Sequence, residues 1–211
     1  MAKELYITAS TMISHERVFK DGQLVFEQNG AGTTAFLTAA YRNLGLNYPK
    51  FFKMDNLSRL GWLAAEFLLR DSLDTGKYEP VGLGVVLQNA NSSLDTDLKY
   101  FDSTRELASP ALFVYTLPNI VIGEICIRHK FKGENAFFIF NAFDAGFMDK
   151  YVSGLVNNNI LQACVCGWVE LLGEEYKAVL YLVEAGQEPR NAGMMSLTKE
   201  NLDNIYKLEN G

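Results

Sequence analysis

The hydrophobic and polar positions of the chain fall into blocks whose period changes along its length. "ELYITASTMI" (4–13) is apolar and β-branched with little polar alternation, which predicts a strand covered on both faces. "FKDGQLVF" carries a turn signal at Asp21-Gly22 and suggests a small hairpin. "NGAGTTAFLTAAYRNLG" reads two ways: Ala and Leu allow a short helix, while glycines and threonines favour loop at its start. Over "DNLSRLGWLAAEFLLRDSL" the period becomes helical, with Leu57, Leu60, Ala64, Phe67 and Leu68 on one face and Asp55 as N-cap. "PVGLGVVLQN" (80–89) is a glycine-rich strand, and Ser92 or Ser93 caps a helix carrying Leu94, Leu98 and Phe101. An irregular stretch leads into a helix from about Asn119 to near Gly133, with Arg128, His129 and Lys130 set against its C-terminal dipole. "NAFFIF", "QACVCGWVELL" and "YKAVLYLVEA" read as strands, "GFMDKYVSGLVNNN" as a helix, and the tail as an amphipathic helix at about 198–208.

Strands alternating with helices imply an α/β chain of three layers, α/β/α, built as one domain over 1–211 on a largely parallel sheet. The loop "GEEYK" between the last two strands is too short for a parallel crossover, so the fifth strand must run antiparallel.

Composition narrows the function classes. The chain is 48% hydrophobic and 21% charged, as in ordinary globular proteins. Its net charge of -6, without a Lys/Arg cluster, lacks the counterion-release term of nucleic-acid binding and disfavours anionic membranes. No apolar run reaches the length of a membrane span, and no secretory h-region opens the chain, so a cytoplasmic location is expected. Cys126, Cys164 and Cys166 sit in apolar runs without metal-ligand spacing and read as buried free thiols in a reducing compartment; no metal and no cofactor is expected.

Several segments together resemble a family. "MDNLSRLGWLAAEFLL", "VGLGVVLQNANSSLDTDLKYF" and "ASPALFVYTLPNIVIGEICIRHKFKGEN" are similar, in order and spacing, to segments of β-ketoacyl synthases. "NAFDAG" falls where that family has its Thr-Ala-Cys-x-Ser-Gly elbow, followed by two strands, "ACVCGWVELL" and "KAVLYLVEA". The resemblance is to the N-terminal half of this thiolase-like superfamily. It implies a five-stranded mixed sheet in the order 3-2-4-5-1, with strand 5 antiparallel.

The resemblance fails where the chemistry would be. The family's acyl-accepting Cys is matched by Phe143, and its neighbours Asn141, Ala142, Asp144 and Ala145 supply neither thiol nor hydroxyl. The family's catalytic histidines belong to the second half; His15 and His129 match neither. Phe143 is then either a plug in an acyl tunnel or ordinary core. Asp144 is either a nucleophile or base paired with His15 or His129, as in a divergent acyl-ester hydrolase, or a helix cap. His129 with Arg128 and Lys130 is a phosphate site or an answer to the helix dipole, and "QNANSS" is a weak candidate phosphate turn.

In the family the strand leading into the elbow is a sheet edge that pairs across a two-fold axis. Here that strand (136–140) carries Phe137, Phe138, Ile139 and Phe140 without a guarding Lys or Pro. The expected cover is a second copy or a ketosynthase subunit, with the C-terminal helix as the internal alternative. The resemblance thus implies a catalytically inactive partner or scaffold in fatty-acid or polyketide (polyene-type) biosynthesis, or an acyl-chain or acyl-carrier-protein binding module.

Overall fold

Ten successive residues, nine of them buried, form β1 (Leu5–Ser14), a strand with no wet face. The structure is a computed structural model that describes residues 3–186 and 194–208. β1 continues into a hairpin of β2 (Arg17–Lys20) and β3 (Gln23–Glu27). Asp21 (φ 50°) and Gly22 (φ 76°) both take the positive φ that a tight two-residue hairpin turn needs. β4 (Leu83–Asn89), β5 (Asn135–Ile139), β6 (Ala163–Leu172), β7 (Glu175–Ala185) and the short β8 (Met195–Ser196) complete the sheet.

The sheet is mixed, and its composition corrects the sequence reading. Among the described residues it has eight strands in the order β3-β2-β1-β7-β6-β4-β5, with β8 on β1, rather than five in the order 3-2-4-5-1. The difference arises beyond β1: the hairpin pairs onto it through Ser14↔Arg17 to Thr11↔Lys20, and β8 through Tyr6↔Ser196. Local signals mark a turn but not the neighbour its strands will join. β4 runs parallel to both β5 and β6, while β7 is antiparallel to β6 across the short loop at Gly173.

Helices cover both faces. On one side lie α1 (Thr33–Asn43) and α2 (Asn56–Leu69), where Phe36, Leu37, Leu60, Trp62, Leu63 and Leu68 are fully enclosed. Burying each such side chain contributes about 1.5–3 kcal/mol. Asp55 caps α2 by accepting from the Ser58 N–H at 2.9 Å. The start of α1 settles the ambiguous "NGAGTT" stretch: loop runs through Gly32 and helix begins at Thr33. Its N–H groups are met by remote carboxylates, Glu16 accepting from Ala31 (2.6 Å) and Gly32 (2.9 Å) and Glu174 from Thr33 (2.7 Å).

Next in the chain come α3 (Leu94–Ser103) and the single turn α4 (Pro110–Phe113), then α5 (Ile120–His129) against α2. α5 stops at His129 rather than near Gly133, because Lys130 turns left-handed (φ 60°) and the Phe131 N–H returns to the Cys126 carbonyl at 3.1 Å. The opposite face carries α6 (Ala145–Asn157) and α7 (Lys199–Tyr206) over Val86, Cys166, Tyr181 and Val183. All three cysteines are free, and burial pushes the Cys126 thiol up to about 11. Among the described residues no helix is long and apolar enough to cross a membrane, and no three His, Cys, Asp or Glu side chains group as a metal site.

Candidate functional site

The corner between β5 and α6 is built from Asn141 to Asp144. Asp144 ends it as the N-cap of α6, its Oδ1 accepting from the Phe147 N–H at 2.8 Å. A fully buried side chain of β4 fastens the corner from below. Gln88 accepts from the Asp144 N–H (2.9 Å) through Oε1 and donates Nε2 to the Asp144 carbonyl (3.3 Å). Sequence reasoning did not single out Gln88, although a lone polar residue inside the apolar run "VGLGVVLQN" was a signal to be read.

Phe143 turns inward and is half-buried, while Asn141 is exposed. Its ring stacks on Tyr206 at 4.8 Å and lies 6.1 Å from Tyr181 and 6.4 Å from Trp168. α7 is pinned above this group: the Tyr181 hydroxyl donates to the Leu202 carbonyl at 2.9 Å, and Lys177 donates to the Tyr206 carbonyl at 3.0 Å. The corner thus presents an aromatic cluster roofed by a helix.

The hydrolase arrangement is not assembled. Neither histidine is among the partners of Asp144, whose carboxylate is committed to the cap. His15 lies exposed in the turn after β1. His129 ends α5 and approaches Glu66 Oε1 at 3.2 Å, where Arg128 also donates Nε to the same carboxylate at 2.7 Å. Burial alone would raise the Glu66 pKa, but the adjacent His129 and the bonds from Arg128 outweigh it and hold Glu66 below its usual range. Cation-π contacts of Arg128 with Tyr48 (5.2 Å) and Trp62 (5.8 Å) make this a structural clamp of α2 on α5.

The "QNANSS" turn is likewise occupied from within, since Glu170 accepts from the Ala90 N–H and from the Asn91 N–H at 3.1 Å. Ser93 stands at the N-cap position of α3 but makes no capping bond; its hydroxyl donates to the Thr116 carbonyl at 2.9 Å and anchors the following segment instead. Neither Ser92 nor Ser93 therefore supplies the expected side-chain cap.

β5 lies at the end of the sheet and, among the described residues, pairs only with β4. Its side chains alternate: Phe137 packs into the α2/α5 face, whereas Phe138 meets Phe147 (4.7 Å) and Tyr151 (5.0 Å) of α6. Phe140 lies with them, 5.0 Å from Phe147, which leaves Ile139 as the exposed apolar residue at 48%. The open feature is the backbone edge, and α7, packed on α6, does not add a strand to it.

No family model and no curated protein matches the chain. Solved structures do. A chain of the complex between a type II polyketide-synthase acyl-carrier protein and its ketosynthase aligns at 18% identity with a TM-score of 0.61, covering 89% of this chain and 64% of that one. The ishigamide ketosynthase/chain length factor aligns at 16% identity with a TM-score of 0.64, again covering 89% and 64%. The chain has a ketosynthase-type fold of half length. It spans 64% of each of those relatives. A chain of the ketosynthase (ApeO) complex with its chain length factor (ApeC) from Xenorhabdus doucetiae is covered to 93% by all of this chain, at 14% identity and a TM-score of 0.55. A chain of comparable extent therefore shares the fold.

Proposed function

We propose that the protein is a non-catalytic, ketosynthase-like partner subunit in fatty-acid or polyketide assembly. In this reading Phe143 stands where the related fold mounts its acyl-accepting cysteine. The observation that carries it is the corner itself: the Phe143 ring stacks on Tyr206, and neither Phe143 nor its neighbours Asn141 and Asp144 offer a thiol or hydroxyl. The partnership follows from the open edge of β5, which offers unpaired N–H and C=O groups to a second strand. Two of the similar structures are described as ketosynthases with a chain length factor, and another as a ketosynthase with an acyl-carrier protein, which favours a ketosynthase or a carrier protein as the class of partner.

α3 supports the same reading. Its buried residues are the polar Asp95 and Thr96, held by the Gly173 N–H to Asp95 bond (3.0 Å) and the Thr96 to Asp55 bond (2.6 Å). The stripe Leu94, Leu98 and Phe101 therefore faces outward, Phe101 at 65% exposure. α3 follows β4, whose last residue Asn89 accepts through its carbonyl from the Phe140 N–H at 2.9 Å.

Sedimentation velocity of the chain alone and mixed with a ketosynthase from its host tests the proposal. The wild type is expected to form a complex of two chains in at least one setting, and Ile139→Lys to run as a monomer, because a charge beside the joined edge must be desolvated. A wild type that is monomeric in both settings, or a variant that assembles normally, contradicts it.

A further inference from the structure

The chain contains two Asn-Gly pairs, Asn29-Gly30 and Asn210-Gly211, and the first lies in the turn between β3 and α1. An asparagine before glycine is open to deamidation, because no side chain shields the glycine nitrogen from the neighbouring carboxamide. At Gly30 nothing lies within 4 Å of an added Cβ, and both residues are exposed to the water that the reaction consumes. The turn is nevertheless tied down by one residue. Glu16 accepts from the Gly30 N–H through Oε2 at 2.5 Å, and through Oε1 from Ala31 and Gly32. Its own backbone carbonyl accepts from the Gln28 N–H at 3.1 Å.

The bond to Gly30 falls on the reacting atom. In deamidation the Gly30 nitrogen gives up its proton and attacks Asn29 Cγ; the new C–N bond closes a succinimide, the bond from Cγ to the side-chain nitrogen breaks, and ammonia leaves. Water then opens the ring to aspartate or isoaspartate. A carboxylate seated on that N–H opposes the negative charge the nitrogen must develop, and it fixes the direction in which the N–H points. Reaction therefore requires that the turn first come away from Glu16.

We propose that Asn29-Gly30 is a latent deamidation site that Glu16 keeps closed, so that modification proceeds through local opening of the turn before α1. The product does not restore the closed turn. Asn29 Nδ2 donates to Glu27 Oε1 at 2.9 Å, and deamidation replaces this donor with a carboxylate, setting like charges against each other beside Glu16. The site is separate from the β5 edge and does not depend on the partner reading.

Peptide mapping by mass spectrometry of the full chain, incubated at mildly alkaline pH, tests it, with Asn210 as the reference in each sample. Asn29 is expected to convert about ten-fold or more slowly in the folded wild type than in the same chain unfolded by urea, the effect of one hydrogen bond to a charged group. Glu16→Gln keeps one oxygen for Ala31 and Gly32 but turns an amide nitrogen toward Gly30. It is expected to raise the folded-state rate at Asn29 about ten-fold, with the rate at Asn210 unchanged. Glu174→Gln alters the acceptor of the Thr33 N–H instead and is expected to leave both rates at the wild-type values. Equal rates at Asn29 in folded and unfolded wild type, no acceleration in Glu16→Gln, or the same acceleration in Glu174→Gln would overturn the proposal.

Discussion

Gly167→Ala is expected to destabilise the fold by more than about 4 kcal/mol. Gly167 lies in the middle of β6 opposite Leu180, with φ at 147°. A Cβ added there would come 2.0 Å from the Val179 carbonyl oxygen and 3.0 Å from the Leu180 Cα, both backbone atoms of the adjoining strand. A flexible side chain can swing aside, but a strand in a ladder cannot without breaking its neighbours' bonds. A cost above about 4 kcal/mol puts this among the exceptional single substitutions and removes much of a typical domain's stability. Gly123→Ala in α5 is the control. Nothing lies within 4 Å of its added Cβ, and helix propensity alone should raise stability by about 0.5–1 kcal/mol. Urea titration followed by circular dichroism reads both, and a Gly167→Ala transition within error of the wild type would refute the geometry of β6.

Glu66→Gln is expected to cost about 2 kcal/mol at neutral pH, because it leaves Arg128 and His129 against a neutral amide in a buried clamp. The figure sits below that for a fully enclosed pair, since the Arg128 side chain is 30% exposed. The pH dependence gives the sharper test. The folded-state pKa of Glu66 is lowered, so its stabilisation is present above the unfolded carboxylate pKa and is lost as pH falls through the folded value. The difference between wild type and variant should therefore be full at pH 7 and vanish in acid. A difference that persists unchanged at about pH 3, below the ordinary carboxylate range, would mean that the substituted amide fails for reasons of packing rather than charge.

Local chemistry was readable from the residues alone. Asp55 and Asp144 cap the helices that follow them because the capping bond spans three residues, and the apolar runs of β1, β4, β6 and β7 advertise themselves. Features made by distant residues were not. The two-residue β8 and the capping of α1 by Glu16 and Glu174 depend on pairings between residues well separated in the chain, and the hairpin joins the sheet through a second turn, at His15-Glu16, that carries neither Gly nor Pro. For α3 the periodicity gave the stripe of Leu94, Leu98 and Phe101 but not its direction, which is decided by what Asp95 and Thr96 find beneath them. At the corner the loss of the thiol was plain in "NAFDAG", whereas Gln88 and the roof of Tyr206 were not, since both act through space.

Intact-mass spectrometry after incubation with malonyl and fatty acyl thioesters addresses the silent corner most directly. The mass of the wild type should stay that of the unmodified chain with every donor, because Phe143 has no lone pair to attack a thioester, burial pushes the Cys126 thiol upward in pKa, and hydrogen bonding with Cys164 together with burial does the same to Cys166. Gain of one acyl group, mapped to any side chain between Asn141 and Asp144 or to a cysteine, would contradict the account.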